Sequence, residues 1–542
     1  MQPNSKLNKF LPLIISISIV IGMFVGRIFT ESYPWKHSSN KLTNILNLIN
    51  DKYVDTVNVD SILENSFPDI IAQLDPHSSY ISAKDLQSTN EELDGSFSGV
   101  GISFTIMNDT ISIIEVISGG PSEKVGILAG DRIIKINNDN VAGASITNEK
   151  VMSLLRGQKG SKVSIEIKRN SSLNNLTFDI TRGEIPVNSI DASYIIKPQI
   201  GFIKINKFSR TTYNEFITAL NNLKNQGATK YIIDLRGNGG GFMQSAILMA
   251  NEFLPAGCMI VNTKFRTDNQ ATGSDGNGSF KNAELAILID EFSASASEIF
   301  AGAIQDYDRG LIIGRRSFGK GLVQQQIEFP DSSAIRLTIA RYYTPSGRCI
   351  QKSYKPGDKN YNNEIIERYN HGEAFNIDSI KLDKNLEYTT ANGRKVYGGG
   401  GIMPDIFIPN DTSDVTKYYY TVSNAGLFQK FAFNYCDKNR DNLKNCNTTQ
   451  EILDKLPYDN ILLESFVDFC KKNKVAARWF EINKSRKLIL AILKALIARD
   501  ILGTHAYYEV YNSYDNVVRN SIEQIELGIA KFPIAITSVT KQ

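Results

Sequence analysis

The chain has 542 residues, with 60 lysines and arginines against 57 aspartates and glutamates and a formal charge of +3. That balance is too even for a nucleic-acid footprint. Hydrophobic residues at 42% and charged residues at 22% exclude a disordered or fibrous chain, and the length calls for two to four domains. The five cysteines, Cys258, Cys349, Cys436, Cys446 and Cys470, form no C-x-x-C pair, which excludes zinc-ribbon and thioredoxin readings. Buried free thiols are the default, although Cys436 and Cys446 could bridge in an oxidising compartment.

Lys6 and Lys9 precede Phe10 to Gly26, a stretch apolar apart from two serines that ends at Arg27. It has about the minimum length for a bilayer-spanning helix, and the preceding charge keeps the N-terminus cytoplasmic. With no A-x-A cleavage signal after it, residues 1–30 are expected to be an uncleaved anchor in the inner membrane. Everything that follows would then be extracytoplasmic, in the periplasm of the cell envelope.

Residues 31–90 carry helical periodicity, with Leu42, Ile45, Leu46 and Ile49 on one face and Ile62, Phe67, Ile70, Ile71 and Leu74 on another. Asp75-Pro76-His77-Ser78-Ser79-Tyr80 reads as a turn, and its histidine as structural. Residues 91–183 change to short strands at Gly101–Ile106, Ile111–Val116, Arg132–Ile136 and Val163–Lys168, with helix-like segments at Gly120–Ile127 and Asn148–Arg156. This segment resembles a PDZ domain. The resemblance makes Gly99, Val100, Gly101 and Ile102 the loop that receives a peptide carboxylate, and Val151, Leu154 and Leu155 the far wall of the groove. Arg156 either relays PDZ position to a second site or balances its helix dipole.

Residues 184–410 alternate strands and helices: strand Ile200–Ile205, helix Tyr213–Asn225, strand Tyr231–Leu235, helix Gln244–Phe253 and strand Met259–Asn262. Polar residues Arg266–Ser279 follow as a loop or hairpin, then strand Leu285–Asp290 and a helix from Ser297. Such alternation implies an α/β core with a mainly parallel sheet and functional groups at strand ends. Three stretches carry chemistry. Ser293-Ala294-Ser295-Ala296-Ser297-Glu298 exposes a hydroxyl at a tight turn, and it equally fits a capping box in which Glu298 reaches back to Ser295. Asp234-Leu235-Arg236-Gly237-Asn238-Gly239-Gly240-Gly241 ends a buried strand in a loop whose backbone N–H groups can approach a ligand closely. Ser317-Phe318-Gly319-Lys320-Gly321-Leu322-Val323-Gln324 offers a lysine that an apolar setting would turn into a general base. Gly314 to Gly321 nearly spells a phosphate-binding loop, but it lacks the final hydroxyl and the helix.

With Leu74–Tyr80, Arg341–Gln351 and Gly398–Asp405, these stretches resemble, in order and over roughly residues 40 to 410, the bacterial C-terminal processing (tail-specific) serine proteases. The resemblance implies a multidomain α/β protease core with an inserted PDZ domain, a helical N-terminal segment and a C-terminal helical domain at 411–542. It also implies a Ser295/Lys320 dyad assisted by Gln324. Ala296 and one of Gly239 and Gly240 would supply the oxyanion N–H groups, with Arg315 and Arg316 helping to lower the lysine pKa. No cofactor or metal is called for. The implied partners are proteins or peptides with free C-terminal tails, together with the membrane through the anchor. Assembly into a homo-oligomer is left open. A catalytically silent PDZ scaffold, or a Ser-His-Asp hydrolase using His77 or His371, are the rivals. Residues 352–395 receive no role. In the tail, helices are expected at Thr416–Phe431, Ile461–Lys472 and Ser485–Arg499, serving docking, assembly or packing.

Overall fold

The computed structural model describes residues 16–23, 39–107, 109–143, 145–169, 172–357 and 360–529. Residues 16–23 are helical, and most of the expected anchor lies outside the described residues. Among those described, no helix is long and apolar enough to cross a membrane. A first unit ends at Ile71 and contains helix α1, Ser39–Lys52, and nearly all of α2, Val59–Ala72. Leu42 and Ile45 of the expected α1 face are exposed, while Leu46 and Ile49 are half-buried.

The second unit begins with strand β1, Ser79–Ile81, and helix α3, Ala83–Asp94. Strand β2, Ser96–Gly99, leads into the PDZ-like segment, formed by β3 (Ile102–Met107), β4 (Thr110–Val116), β5 (Arg132–Ile136), helix α4 (Asn148–Leu155), β6 (Lys162–Lys168) and β7 (Leu176–Thr181). Strand β8, Gly183–Pro186, returns antiparallel to β2 and closes the base of the module. Its core is aliphatic: Ile111, Ile113, Ile133, Ile165 and Ile180 are inaccessible to solvent. β3 is the last strand of its sheet, so among the described residues one edge has no strand neighbour.

The α/β part runs β9 (Ile190–Lys197), β10 (Ile200–Ile205), α5 (Thr212–Asn225), β11 (Lys230–Asp234), α6 (Met243–Asn251), β12 (Met259–Phe265), β13 (Asn269–Gly273), β14 (Glu284–Ile289) and α7 (Ala296–Asp306). It continues with β15 (Leu311–Gly314), β16 (Leu322–Glu328), β17 (Ala334–Tyr343), helix α8 (Glu364–Asn370) and β18 (Ile406–Phe407). One sheet has the order β9-β10-β11-β14-β15-β18 and is parallel except where β9 meets β10. The expectation of a mainly parallel sheet holds for this sheet alone. β12, expected in it, instead joins an antiparallel sheet ordered β1-β17-β12-β13, with β16 also on β17. The polar segment after it is the hairpin strand β13, whose exposed residues need only one neighbour.

The tail is helical: α9 (Lys417–Asn424), α10 (Leu427–Lys438), α11 (Arg440–Leu443), α12 (Thr449–Lys455), α13 (Asp459–Lys472), α14 (Trp479–Lys484), α15 (Arg486–Leu502), α16 (Thr504–Tyr511) and α17 (Asn516–Glu526). The single helix expected over Thr416–Phe431 is two, broken at Ala425-Gly426, where Gly426 begins the second. All five cysteines are unbridged.

The central sheet shows why the tail is more than an appendage. Side chains alternate across a strand, so the inward residues of β10, β11, β14 and β15 divide into two sets. Ile203, Ile233, Ile287 and Ile312 pack on the face covered by α5, α6 and α7. Phe202, Ile232, Leu288 and Ile313 point the other way, where Val517, Val518 and Ile525 of α17 cover them. A parallel sheet requires cover on both faces, and here the last helix of the tail supplies one of them. Ile525→Ala should therefore cost about 2–5 kcal/mol, the usual range for emptying a buried aliphatic site, seen as a lower urea midpoint. An unshifted midpoint would contradict this packing role.

Candidate active site

β14 is a run of six buried residues, and the chain leaves it through Asp290, whose carboxylate accepts from the N–H groups of Gly237 and Phe292. This joins the glycine loop after β11 to the turn after β14. Ser295 lies at the end of that turn with φ +57° and ψ −113°. Such a backbone costs a non-glycine residue roughly 1–3 kcal/mol and persists only where its surroundings enforce it. Gly240 provides part of that enforcement: with φ +95°, a Cβ there would lie 2.6 Å from the Ala294 carbonyl oxygen and 2.8 Å from Ser295 Cβ.

Glu298 makes the capping-box contact, accepting the Ser295 N–H at 2.8 Å. The same carboxylate accepts the N–H groups of Gly319 (2.8 Å) and Lys320 (2.9 Å) and the Ser317 hydroxyl (2.5 Å). On the carbonyl side, the Tyr342 hydroxyl is shared between Ser295 O (3.0 Å) and Lys320 O (2.5 Å). The backbones of Ser295 and Lys320 are thus held together at both N–H and C=O. The capping and functional readings of Ser295–Glu298 involve one and the same carboxylate.

Ser295 and Lys320 are both half-buried. Among the described residues the Lys320 ammonium has no hydrogen-bond or ion-pair partner, and no bond joins it to Gln324. Burial pushes its pKa down, helped by the charge of Arg336, while Glu298 and Asp75 oppose the shift. The cation that acts on Lys320 is therefore Arg336 of β17. Arg315 and Arg316, expected in that role, are held by Glu291 and Glu373. Gln324 on β16 donates to Thr338 Oγ1 at 3.3 Å, and that hydroxyl donates to Asp75 at 3.1 Å.

The 75–80 turn is part of the same neighbourhood. Burial, and then the charge on Lys320, lower the His77 pKa to about 4, so its ring is neutral. Its Nε2 pairs with the Tyr361 hydroxyl at 2.9 Å, and its ring stands edge-on to Phe318 and Tyr361. His371 is exposed at the end of α8. Segment 352–395, given no role from sequence, backs the lysine loop. Lys352 sits about 4 Å from both the Phe318 and Tyr361 ring centroids (4.0 and 4.1 Å), and Arg368 donates to the carbonyls of Ser317 and Arg316. Sequence reasoning missed Tyr342, Arg336, Asp75 and Thr338. The only available signal for Asp75 and Tyr342 was their place within two of the ordered motifs.

Of the oxyanion candidates, Gly240 gives its N–H to Asn238 Oδ1 at 2.9 Å. Among the described residues the N–H groups of Gly239 and Ala296 make no hydrogen bond, leaving one donor on the glycine loop and one on the residue after Ser295. In the PDZ-like module, Val151 (0% exposed), Leu155 (4%) and Val100 (3%) are core residues. Ile102 on the open strand edge and Leu154 on α4 are half-buried. Gly99 pairs with Gly183, and the Gly101 carbonyl accepts from Ile117. Arg156 stacks 4.7 Å from the Phe97 ring centroid and pairs with Glu91 on α3 at 3.2 Å. The neighbouring Asn90 accepts from Gln326 on β16 at 2.7 Å.

A PDZ module set into an α/β core, with a serine on a strained turn whose backbone is tied to that of a half-buried lysine, defines a PDZ-bearing peptidase type of chain. Family models agree: residues 199–358 match peptidase family S41, 98–180 a PDZ domain, and 418–503 a family of unknown function. The chain is 33% identical over 417 residues to a probable CtpA-like serine protease of Staphylococcus aureus (strain COL), covering 70% of this chain and 83% of that one. It is 34% identical over 314 residues to the carboxy-terminal processing protease CtpA of Bacillus subtilis (strain 168), covering 58% and 66%. The match to the Staphylococcus aureus (strain MRSA252) relative spans 64% of that protein's length. Among solved structures, the photosystem II D1 C-terminal processing protease is similar at 23% identity and a TM-score of 0.34, covering 68% of this chain and 93% of that one. The chain belongs to the S41 peptidase family, in its CtpA-like C-terminal processing branch with a PDZ domain.

Glu298 accepts four donors only as the anion. Burial raises its pKa to about 7, against the hydrogen bonds that pull it down. Below pH 7 its protonation would place an O–H among donors and loosen the two backbones. Glu298→Gln should lower kcat by about 100-fold, the scale of a misplacement near 1 Å, with KM little changed. It should also remove an acid limb near pH 7 from the rate profile. The stability sign is opposite: a native pKa above the unfolded value near 4.5 means the native state binds more protons between those values. This group's contribution is thus full below about 4.5 and lost as pH rises through 7. Pre-steady-state kinetics and pH-dependent unfolding of the two proteins test both statements.

Proposed function

We propose that the chain is a serine endopeptidase that cuts extracytoplasmic proteins near their C-termini, with the PDZ domain reading the substrate tail. The observation that carries this reading is the double tether of Ser295 and Lys320 by Glu298 and Tyr342, together with N–H groups of Ala296 and Gly239 that make no hydrogen bond among the described residues. The Ser295 Oγ attacks the scissile carbonyl while neutral Lys320 Nζ takes its proton. The oxyanion forms against the two N–H groups, each worth on the order of 3 kcal/mol in other hydrolases. The intermediate collapses, Lys320 passes the proton to the leaving amine, and the acyl-enzyme is hydrolysed by a water that Lys320 deprotonates. Gln324, through Thr338 and Asp75, orients the pocket wall beside the lysine.

A free C-terminus would add as a strand along the open edge of β3, with Ile102 and Leu154 beside it and the loop at Gly99–Gly101 receiving the carboxylate. The relatives whose names specify carboxy-terminal processing support this substrate class. The sequence supports an envelope location through an N-terminal anchor, and assembly of several copies is compatible with it.

Incubating a tail-bearing reporter with the protein should yield internal cleavage near the tail by mass spectrometry. Ser295→Ala and Lys320→Ala should each lose about 10³-fold or more in kcat, as dyad members do. Because burial lowers the lysine pKa, the rate should climb with pH as Lys320 gives up its proton. Full cleavage by Lys320→Ala would remove the dyad. Tight tail binding without cleavage by the unmodified protein would leave a scaffold.

A further inference from the structure

The C-terminal helices touch the PDZ module at β4, at β5 and at the turn between them. Arg132 on β5 pairs with Asp437 of α10 at 2.7 Å, and its guanidinium lies 6.0 Å from the Phe433 ring centroid. Arg440 of α11, 3.9 Å from Asp437, lies against Gly130, where φ is +89° and any Cβ would collide with the guanidinium. Glu115 of β4 lies over Gly503, between α15 and α16; a Cβ there would be 3.3 Å from its Oε1. Two separate parts of the tail therefore meet the module.

The same helical domain grips the α/β core at its other end. Asp515 accepts both hydrogen bonds from Arg236 Nη1 (3.1 and 2.9 Å), at the start of the glycine loop, and caps α17 by accepting the N–H groups of Val517 and Val518. Tyr194 of β9 donates to the Tyr508 carbonyl and accepts from Asn512. A shared apolar core from Tyr418 to Val510 joins α9 to α16, so a force at Asp437 is carried to the core through packed helices.

We infer that the C-terminal helical domain is a dock for the PDZ domain, holding the tail reader at a fixed place relative to the nucleophile through Arg132–Asp437 and the Arg440–Gly130 contact. Among the described residues, the β2–β8 base and Arg156–Glu91 also fasten the module. Releasing the dock leaves the catalytic groups untouched but lets the captured tail wander, which lowers the effective concentration of the scissile bond at Ser295. The catalytic part of this inference rests on the proposed peptidase reading. The docking part does not.

The test uses the full chain with Arg132→Glu, Asp437→Arg, the reversed pair combined, and Asp437→Asn as the milder change. Hydrogen exchange should rise about tenfold at residues 130–136 and 433–443 in each single variant and return toward the unmodified level in the reversed pair. KM for a tail-bearing reporter should rise about tenfold in the single variants, with kcat on a short peptide lacking that tail unchanged. Unchanged exchange on both faces, a reversed pair no better than its parents, or an equal loss on the tailless peptide would each overturn the dock. If the unmodified protein cleaves no reporter, the peptidase reading fails while exchange still decides the dock.

Discussion

The constraint on which the site depends is the Glu298 carboxylate, which takes four donors in a buried position: the N–H groups of Ser295, Gly319 and Lys320 and the hydroxyl of Ser317. Burying an anion is unfavourable unless its lone pairs are filled, and here the filling groups come from two chain segments that must approach each other. Removing any one would leave a charged group under-satisfied, so the four donors tie the serine turn and the lysine loop to one another. The carbonyl side is closed by a single hydroxyl, Tyr342, which burial keeps protonated by raising its pKa.

This arrangement explains why the site sits where two sheets meet. The serine turn leaves the parallel sheet at β14, whereas Lys320 stands just before β16 of the antiparallel sheet. Neither sheet alone could present both groups. β16 in turn meets α3 through Gln326 and Asn90, and α3 meets the PDZ module through Glu91 and Arg156. The lysine strand thus has a polar connection to the PDZ module through α3.

Much of this was readable in the residues. Period-2 alternation and buried aliphatic runs gave the strands of the parallel sheet, and the glycine loop, serine turn and lysine loop were found because short motifs mark tight backbone geometry. Longer-range pairing was not readable. The polar stretch after Phe265 reads equally as loop or hairpin, and the short apolar run of β12 does not reveal that its neighbours lie in the antiparallel sheet. Arg315 and Arg316 looked like the cations beside the lysine since they are close in sequence. Glu291 and Glu373 hold them, and Arg336 across a strand pair takes their place. His77 looked like an isolated turn residue, and only the fold brings it beside Lys320.

The tail illustrates the same limit. Its helices were evident from spacing, but α17 is amphipathic in a way that fits any apolar surface, and sequence alone does not say which. That surface is the second face of the central sheet. Because a parallel sheet left bare on one side would expose Phe202, Ile232 and Leu288 to water, the α/β core is incomplete without residues that lie more than a hundred positions beyond its last strand. The link between Arg236 and Asp515 then follows: once α17 is seated on the sheet, its N-cap carboxylate stands at the mouth of the glycine loop. The group that starts the helix therefore also holds the Arg236 side chain at the start of the glycine loop.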